Sequence, residues 1–169
     1  MKKIFFITLT LLMISVFTVS ASTVPYKAIN TNFVQVNSSI IAQENEVIRL
    51  VNVQRSRRGL PALSKNNSLC TVARYKSQDM INKHYFSHMS PTYGSPFKMM
   101  ETFGIKFSAA GENIAMGQRT PAEVMNSWMN SSGHRANILS PAYTQIGVGL
   151  AVNKSGTHYW TQQFIRPLY

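Results

Sequence analysis

An α+β domain, with helices laid over a small antiparallel sheet, is the fold class predicted by this sequence of 169 residues. Three observations lead there. Helical apolar spacing recurs through the first half of the chain, a capping motif opens a further helix at Thr120-Pro121-Ala122-Glu123, and two strand-like runs joined by a polar turn close the sequence. No internal repeat or low-complexity tract interrupts this order.

Order is expected to begin near Glu44. Glu44 and Glu46 lead, Val47, Leu50 and Val51 follow at helical spacing, and Arg55, Arg57 and Arg58 come last, the charge order that suits a helix macrodipole. Gly59-Leu60-Pro61 stops this helix. A second helix is expected over about 67–84, with Leu69, Val72, Ala73 and Met80 on one face and Ser90-Pro91 marking its latest end. At Thr120 a threonine cap, Pro121 in the first helical position and Glu123 reaching back precede the apolar Val124, Met125, Trp128 and Met129. Runs 146–152 and 158–165 flank the turn Asn153-Lys154-Ser155-Gly156 and read as a β-hairpin.

The start of the chain addresses it for export. Met1-Lys2-Lys3, an uncharged and largely apolar run over 4–19, and the small residues Ser20-Ala21 predict a signal peptide over residues 1–21. The run falls short of the roughly 20 apolar residues of a spanning helix, so cleavage is expected in place of retention as an anchor. Residues 22–43, with Pro25 and no clean period, predict an extended linker, and 44–169 the folded domain, a soluble monomer without a transmembrane span. A single cysteine, Cys70, permits no internal disulfide, and its neighbours Leu69 and Val72 predict a buried apolar residue and not a reactive thiol.

Seventeen Lys and Arg against 6 Asp and Glu give a formal charge of +11, and the chain stays strongly basic after loss of Lys2 and Lys3. In an exported protein this balance favours an anionic cell-envelope polymer or an acidic lipid as partner, and the compartment makes nucleic acid a remote one. The competing account of the charge is solubility alone.

The chemistry-bearing residues gather in three short polar motifs: His88 in His84-Tyr85-Phe86-Ser87-His88, Glu112 in Gly111-Glu112-Asn113, and His134 in Ser132-Gly133-His134-Arg135. Each adjoins Gly, Ser or Pro, which predicts loop-like segments that present side chains at a cleft. Two imidazoles and one carboxylate suit Zn²⁺ or another divalent cation, with Glu112 as a third ligand or as the group that orients an imidazole. A hydrogen-bonded cluster that only fastens loops is the competing reading. His84 and His88 are spaced i, i+4, but no glutamate lies between them and the chain is expected to leave the helix before His88. A serine nucleophile lacks its Gly-x-Ser-x-Gly elbow. Glu44 and Glu46 at a helix start, Asp79 and Glu101 in helices and Glu123 at a cap leave Glu112 without a second carboxylate for glycoside cleavage.

Taken in order, Glu46-Val47 through Arg58-Gly59-Leu60, Phe86-Ser87-His88-Met89-Ser90-Pro91, Ala110-Gly111-Glu112-Asn113-Ile114-Ala115, Trp128-Met129-Asn130-Ser131, Gly133-His134-Arg135-Ala136-Asn137-Ile138-Leu139 and Tyr143-Thr144-Gln145-Ile146-Gly147-Val148-Gly149 form a series. Over about residues 44–166 the chain resembles the bacterial branch of the CAP superfamily of cysteine-rich secretory, antigen 5 and pathogenesis-related proteins, the SCP-like extracellular domains. The resemblance implies an α-β-α sandwich with a small central antiparallel sheet flanked by helices, a secreted location, and a His/Glu cleft. His88 matches the first cleft histidine, Glu112 the glutamate of the Gly-Glu-Asn motif, and His134 the Gly-His-Arg histidine of bacterial members. The eukaryotic members carry a second glutamate and a last histidine where this chain has Ser131 and Ala142, and they carry paired cysteines that this chain lacks. Members are connected with divalent metals, with sterols or lipids and in a few cases with proteolysis, and no shared reaction is established among them.

The leading expectation is therefore a secreted, non-enzymatic domain that binds a ligand or partner at His88, Glu112 and His134: a divalent metal, a lipid, an envelope polymer or a protein. A hydrolase using the same residues, with metal-activated water or Glu112 as base, is the alternative. A structural protein of the cell wall or spore surface is the second.

Overall fold

The structure, a computed structural model, describes residues 38–168. The expected signal peptide and residues 22–37 of the expected linker lie outside the described residues. The elements in chain order are α1 (Ser38–Ser56), β1 (Ser64–Lys65), α2 (Asn67–Asn82), α3 (Pro96–Thr102), β2 (Phe107–Met116), α4 (Pro121–Asn130), α5 (Ser132–Leu139), β3 (Gln145–Val152) and β4 (His158–Pro167).

The sheet order is β1-β3-β4-β2, antiparallel except where the two residues of β1 run parallel to β3. The expected sheet is thus present, made mixed by one short edge strand. Side-chain alternation divides it into two faces. On one, Ile146, Val148 and Leu150 of β3 and Trp160 and Phe164 of β4 meet Val47 and Val51 of α1, Val124 and Trp128 of α4, and Ile138 of α5. On the other, Ile165 packs with Leu69 and Val72 of α2 and Met99 and Met100 of α3. Helices on both faces make the α-β-α layering. Gly147 and Gly149 are the price of seating α2 so close to β3: a Cβ on Gly147 would stand 2.4 Å from the Leu69 carbonyl carbon, and one on Gly149 would stand 2.1 Å from the Arg74 nitrogen.

Helix α1 begins at Ser38, six residues before the expected start, so residues 38–43 are helical and not part of an extended linker. This also relocates Glu44. It is no first-turn acid completing a helix dipole but lies well inside the helix, 1 % exposed, facing the interior. At the other end Arg55 is buried as well and donates to the carbonyls of Pro61, Ile138 and Ser140 at 2.8, 2.9 and 2.8 Å. Burial lowers its pKa from the ordinary arginine value. The α4 start follows the expected capping: Thr120 Oγ1 accepts from the Glu123 amide at 3.2 Å, while the Glu123 carboxylate reaches one residue further back, to the Arg119 amide at 2.8 Å. Cys70 is buried, and burial raises its thiol pKa above the ordinary value, the opposite of an activated nucleophile.

Candidate functional site

Glu112 does not sit on a loop. It lies within β2, the edge strand opposite β1, where the register pairs Glu112 with Gln163 and Asn113 with Gln162 of β4. Alternation sends the two β2 side chains to opposite faces of the sheet. The Glu112 side chain is 1 % exposed, and its two oxygens are both engaged: Oε2 accepts from Gln163 Nε2 at 3.0 Å and Oε1 meets His88 Nδ1 at 2.9 Å. An ionised carboxylate only accepts, so His88 donates from Nδ1, and in the neutral ring the lone pair lies on Nε2.

His88 reaches that carboxylate from the segment after α2. The helix ends at Asn82, and His84, with φ of 54°, turns the chain out of it, so His84 and His88 share no helical face. The His88 side chain is 48 % exposed. Buried acid below and half-exposed base above form one unit, in which the carboxylate fixes the ring and the ring's other nitrogen is left for chemistry.

His134 does not occupy the expected loop and lies instead in the first turn of α5. Its main-chain carbonyl accepts from Asn113 Nδ2 at 3.1 Å, and Asn113 Oδ1 in turn accepts from Asn137 Nδ2 at 2.9 Å. Asn137 also donates to the Glu112 carbonyl at 3.2 Å. The Gly-Glu-Asn strand therefore serves two sides at once: Glu112 aims His88 across one face, and Asn113 fastens the helix carrying His134 at the other. Burial, and secondarily the charge of His88, holds the His134 pKa below the ordinary histidine value. The charge of His88 is felt at the His134 ring, which brings the two imidazoles into one electrostatic neighbourhood. Sequence reasoning misses Asn113, Asn137 and Gln163 as site residues; Asn113, next to Glu112, carries a local signal, while Asn137 and Gln163 have no charged neighbour in sequence.

Among the described residues no group of three or more His, Cys, Asp and Glu side chains is placed to hold a metal ion. Each Glu112 oxygen accepts one hydrogen bond, the arrangement of a partner that orients an imidazole. A groove of about 510 Å³ lined by Ile81, Asn82, His84, Asn153, Lys154, Ser155 and Tyr159 uses none of the three site residues. Among the described residues no helix is long and apolar enough to cross a membrane.

Comparison with known proteins agrees with this architecture. The chain is 53% identical over 147 residues to YkwD, an uncharacterized protein of Bacillus subtilis strain 168, covering 86% of this chain and 56% of that one. The crystal structure of an extracellular protein containing an SCP domain from Bacillus anthracis superposes with a TM-score of 0.69 at 36% identity, over 75% of this chain and 41% of that chain. An outer surface protein from Borrelia burgdorferi shares the fold, with a TM-score of 0.70 at 16% identity over 75% of this chain and 94% of that one. The chain thus spans little more than half of YkwD and less than half of the Bacillus anthracis protein. The model of the cysteine-rich secretory protein family matches residues 48–164, and this chain belongs to that family, the CAP proteins.

Proposed function

We propose that this chain is an extracellular binding module whose ligand engages the imidazoles of His88 and His134, with Glu112 fixing the His88 ring. The observation that carries this reading is the 1 % exposed Glu112 carboxylate bonded to a 48 % exposed imidazole. A loop could be fastened by neutral hydrogen bonds without burying a charge, whose desolvation costs several kcal/mol. The same burial weighs against the hydrolase alternative in its Glu112-base form, because a base must reach the proton it takes, and both Glu112 oxygens are already engaged.

The chain's net positive charge supports an anionic envelope polymer as the ligand class. Co-sedimentation with purified cell walls and with anionic vesicles, at low salt and at 1 M, is the test; the screening length falls from ~10 Å at 0.1 M to ~3 Å at 1 M. Wild type is expected to sediment with walls at low salt and to be released at high salt, and His88→Ala with His134→Ala to weaken retention while the fold persists. Binding to vesicles that survives high salt would favour an apolar lipid ligand instead. Retention unaltered by both substitutions would move the protein to the structural wall or spore-surface class, and no retention on either surface would point to a protein partner.

A second reading rests on the orientation of His88: a ring held through Nδ1 is prepared to bind a cation through Nε2, with His134 beside it and further positions open. Calorimetry with Zn²⁺ at neutral pH is expected to give heat that His134→Ala loses. Affinity should fall as pH drops below about 6.5, where ordinary histidines protonate and no longer offer a lone pair, with the loss at His134 coming lower because its pKa is held below that value. Equal heats from the two proteins would exclude this reading.

A further inference from the structure

Lys76 and Asp79 stand one turn apart on α2, 0 % and 7 % exposed. Neither belongs to the His/Glu site, yet both bond the segment that carries His88. Lys76 Nζ donates to the His88 carbonyl at 2.8 Å and to the Tyr85 hydroxyl at 3.1 Å, and it lies 4.9 Å from the centre of the Tyr85 ring. Asp79 accepts from the hydroxyls of Tyr85, Ser90 and Thr92 at 2.6, 2.7 and 2.6 Å. Ser90 Oγ accepts in turn from the amides of Thr92 and Tyr93 at 3.0 and 2.9 Å. Tyr85, His88, Ser90 and Thr92 are therefore all pinned to two charged side chains. His88 is the one held from both ends, its carbonyl on Lys76 and its ring on Glu112.

Packing alone does not account for a fully buried ammonium. Well-packed apolar residues commonly stabilise as much as a buried charge pair, so such a pair is weak evidence for stability and better evidence for fixing one arrangement. Burial lowers the Lys76 pKa, while the charges of Glu112 and Asp79 oppose that shift, so one ammonium feels both carboxylates. Burial opposes ionisation of Asp79 too, but its three hydroxyl donors, with Lys76, hold its pKa below the ordinary value. An ionised Asp79 accepts all three hydroxyls at once, which a neutral residue in its place would not do.

We propose that Lys76, anchored through Tyr85 to Asp79, is the positioning residue of the binding site: it sets the main chain of His88 at the height at which Nδ1 meets Glu112 and Nε2 is presented to a ligand. This deepens the reading of His88 as a binding residue and rests on it, but its test is made on the free protein. Long-range ¹H–¹⁵N spectra of the histidine rings report which nitrogen carries the proton. In wild type at a pH where His88 is neutral, the Nδ1–H form is expected. In Lys76→Met, similar in length and without charge, His88 is expected to lose that form in favour of Nε2–H, and Lys76→Arg is expected to restore at least part of it. A folded Lys76→Met that keeps the wild-type tautomer overturns the proposal, because a purely structural lysine would lower stability and leave the ring as it was. Should Lys76→Met fail to fold, Tyr85→Phe decides: it removes the one oxygen that joins Lys76 to Asp79 and is expected to shift the tautomer in the same direction, and an unchanged ratio rejects the role. Loss of wall or metal binding by wild type would instead count against the ligand reading and leave this result standing.

Discussion

Gly149→Ala is expected to remove much of the stability of the domain. The new methyl would stand 2.1 Å from the Arg74 nitrogen, 2.2 Å from the Ala73 carbonyl carbon and 2.6 Å from the Arg74 Cα, all backbone atoms of α2. No rotamer change relieves a clash with main chain, so either the helix or the strand must move. The helix is held by Ser77, whose Oγ donates to the Gly149 carbonyl at 3.0 Å and is hydrogen-bonded to the Thr161 hydroxyl at 2.9 Å, and by Leu69 and Val72 in the core beneath it. The strand lies between β1 and β4 and cannot retreat without breaking a ladder. Overpacking typically costs about 1–3 kcal/mol where side chains can yield, and here the cost should exceed that range. Gly133→Ala is the control. Within α5 its added methyl meets nothing, so the substitution should be neutral or stabilise by up to about 1 kcal/mol. Urea unfolding of both variants checks the pair, and similar midpoints would mean that α2 is free to shift on the sheet.

The same close approach shows what was legible beforehand. The hairpin of β3 and β4 announced itself through alternation and a polar turn, and α4 through its cap, because both signals are local. Strand β2 gave no such signal. Phe107-Ser108-Ala109-Ala110-Gly111-Glu112-Asn113-Ile114-Ala115-Met116 is buried on both faces from Gly111 to Ala115, with small residues and with two polar ones whose partners come from elsewhere, so no apolar-polar alternation survives. Glu112 and Asn113 therefore read as turn residues, although they occupy a strand. Helix α5 hid for a similar reason: Gly133 lies in its first turn and Ser131 makes no side-chain cap. The three site residues were recognisable as chemistry because His and Glu are rare in this chain. Their division of labour was not, since it depends on Gln163 and Asn137, which are distant in sequence and brought near by the register.

Glu44 is the sharpest case of a residue whose meaning lies thirty positions away, and it supports the second large effect. Arg74→Ala should cost about 3–5 kcal/mol, the loss expected when one partner of a buried pair is removed and the other stays behind uncompensated. Arg74 Nε donates to both Glu44 oxygens, at 2.8 and 3.1 Å, and the Leu150 amide donates to Oε1 at 3.0 Å, so a single carboxylate ties α1 to α2 and to β3. Hydrogen bonding to Glu44, against the opposing effect of burial, raises the Arg74 pKa. With Glu44 1 % exposed and Arg74 16 % exposed, water cannot replace the guanidinium. The Arg49–Glu46 pair one turn along α1 is the contrast, at 61 % and 42 % exposure, and Arg49→Ala should leave the urea midpoint nearly unchanged because water screens the pair. Replacing the buried pair together, Glu44→Leu with Arg74→Met, should recover most of the loss, because no charge is then left without a partner. If Arg74→Ala unfolds in urea at the same midpoint as Arg49→Ala, Glu44 has found another partner or reached solvent, and the junction of α1, α2 and β3 does not depend on this ion pair.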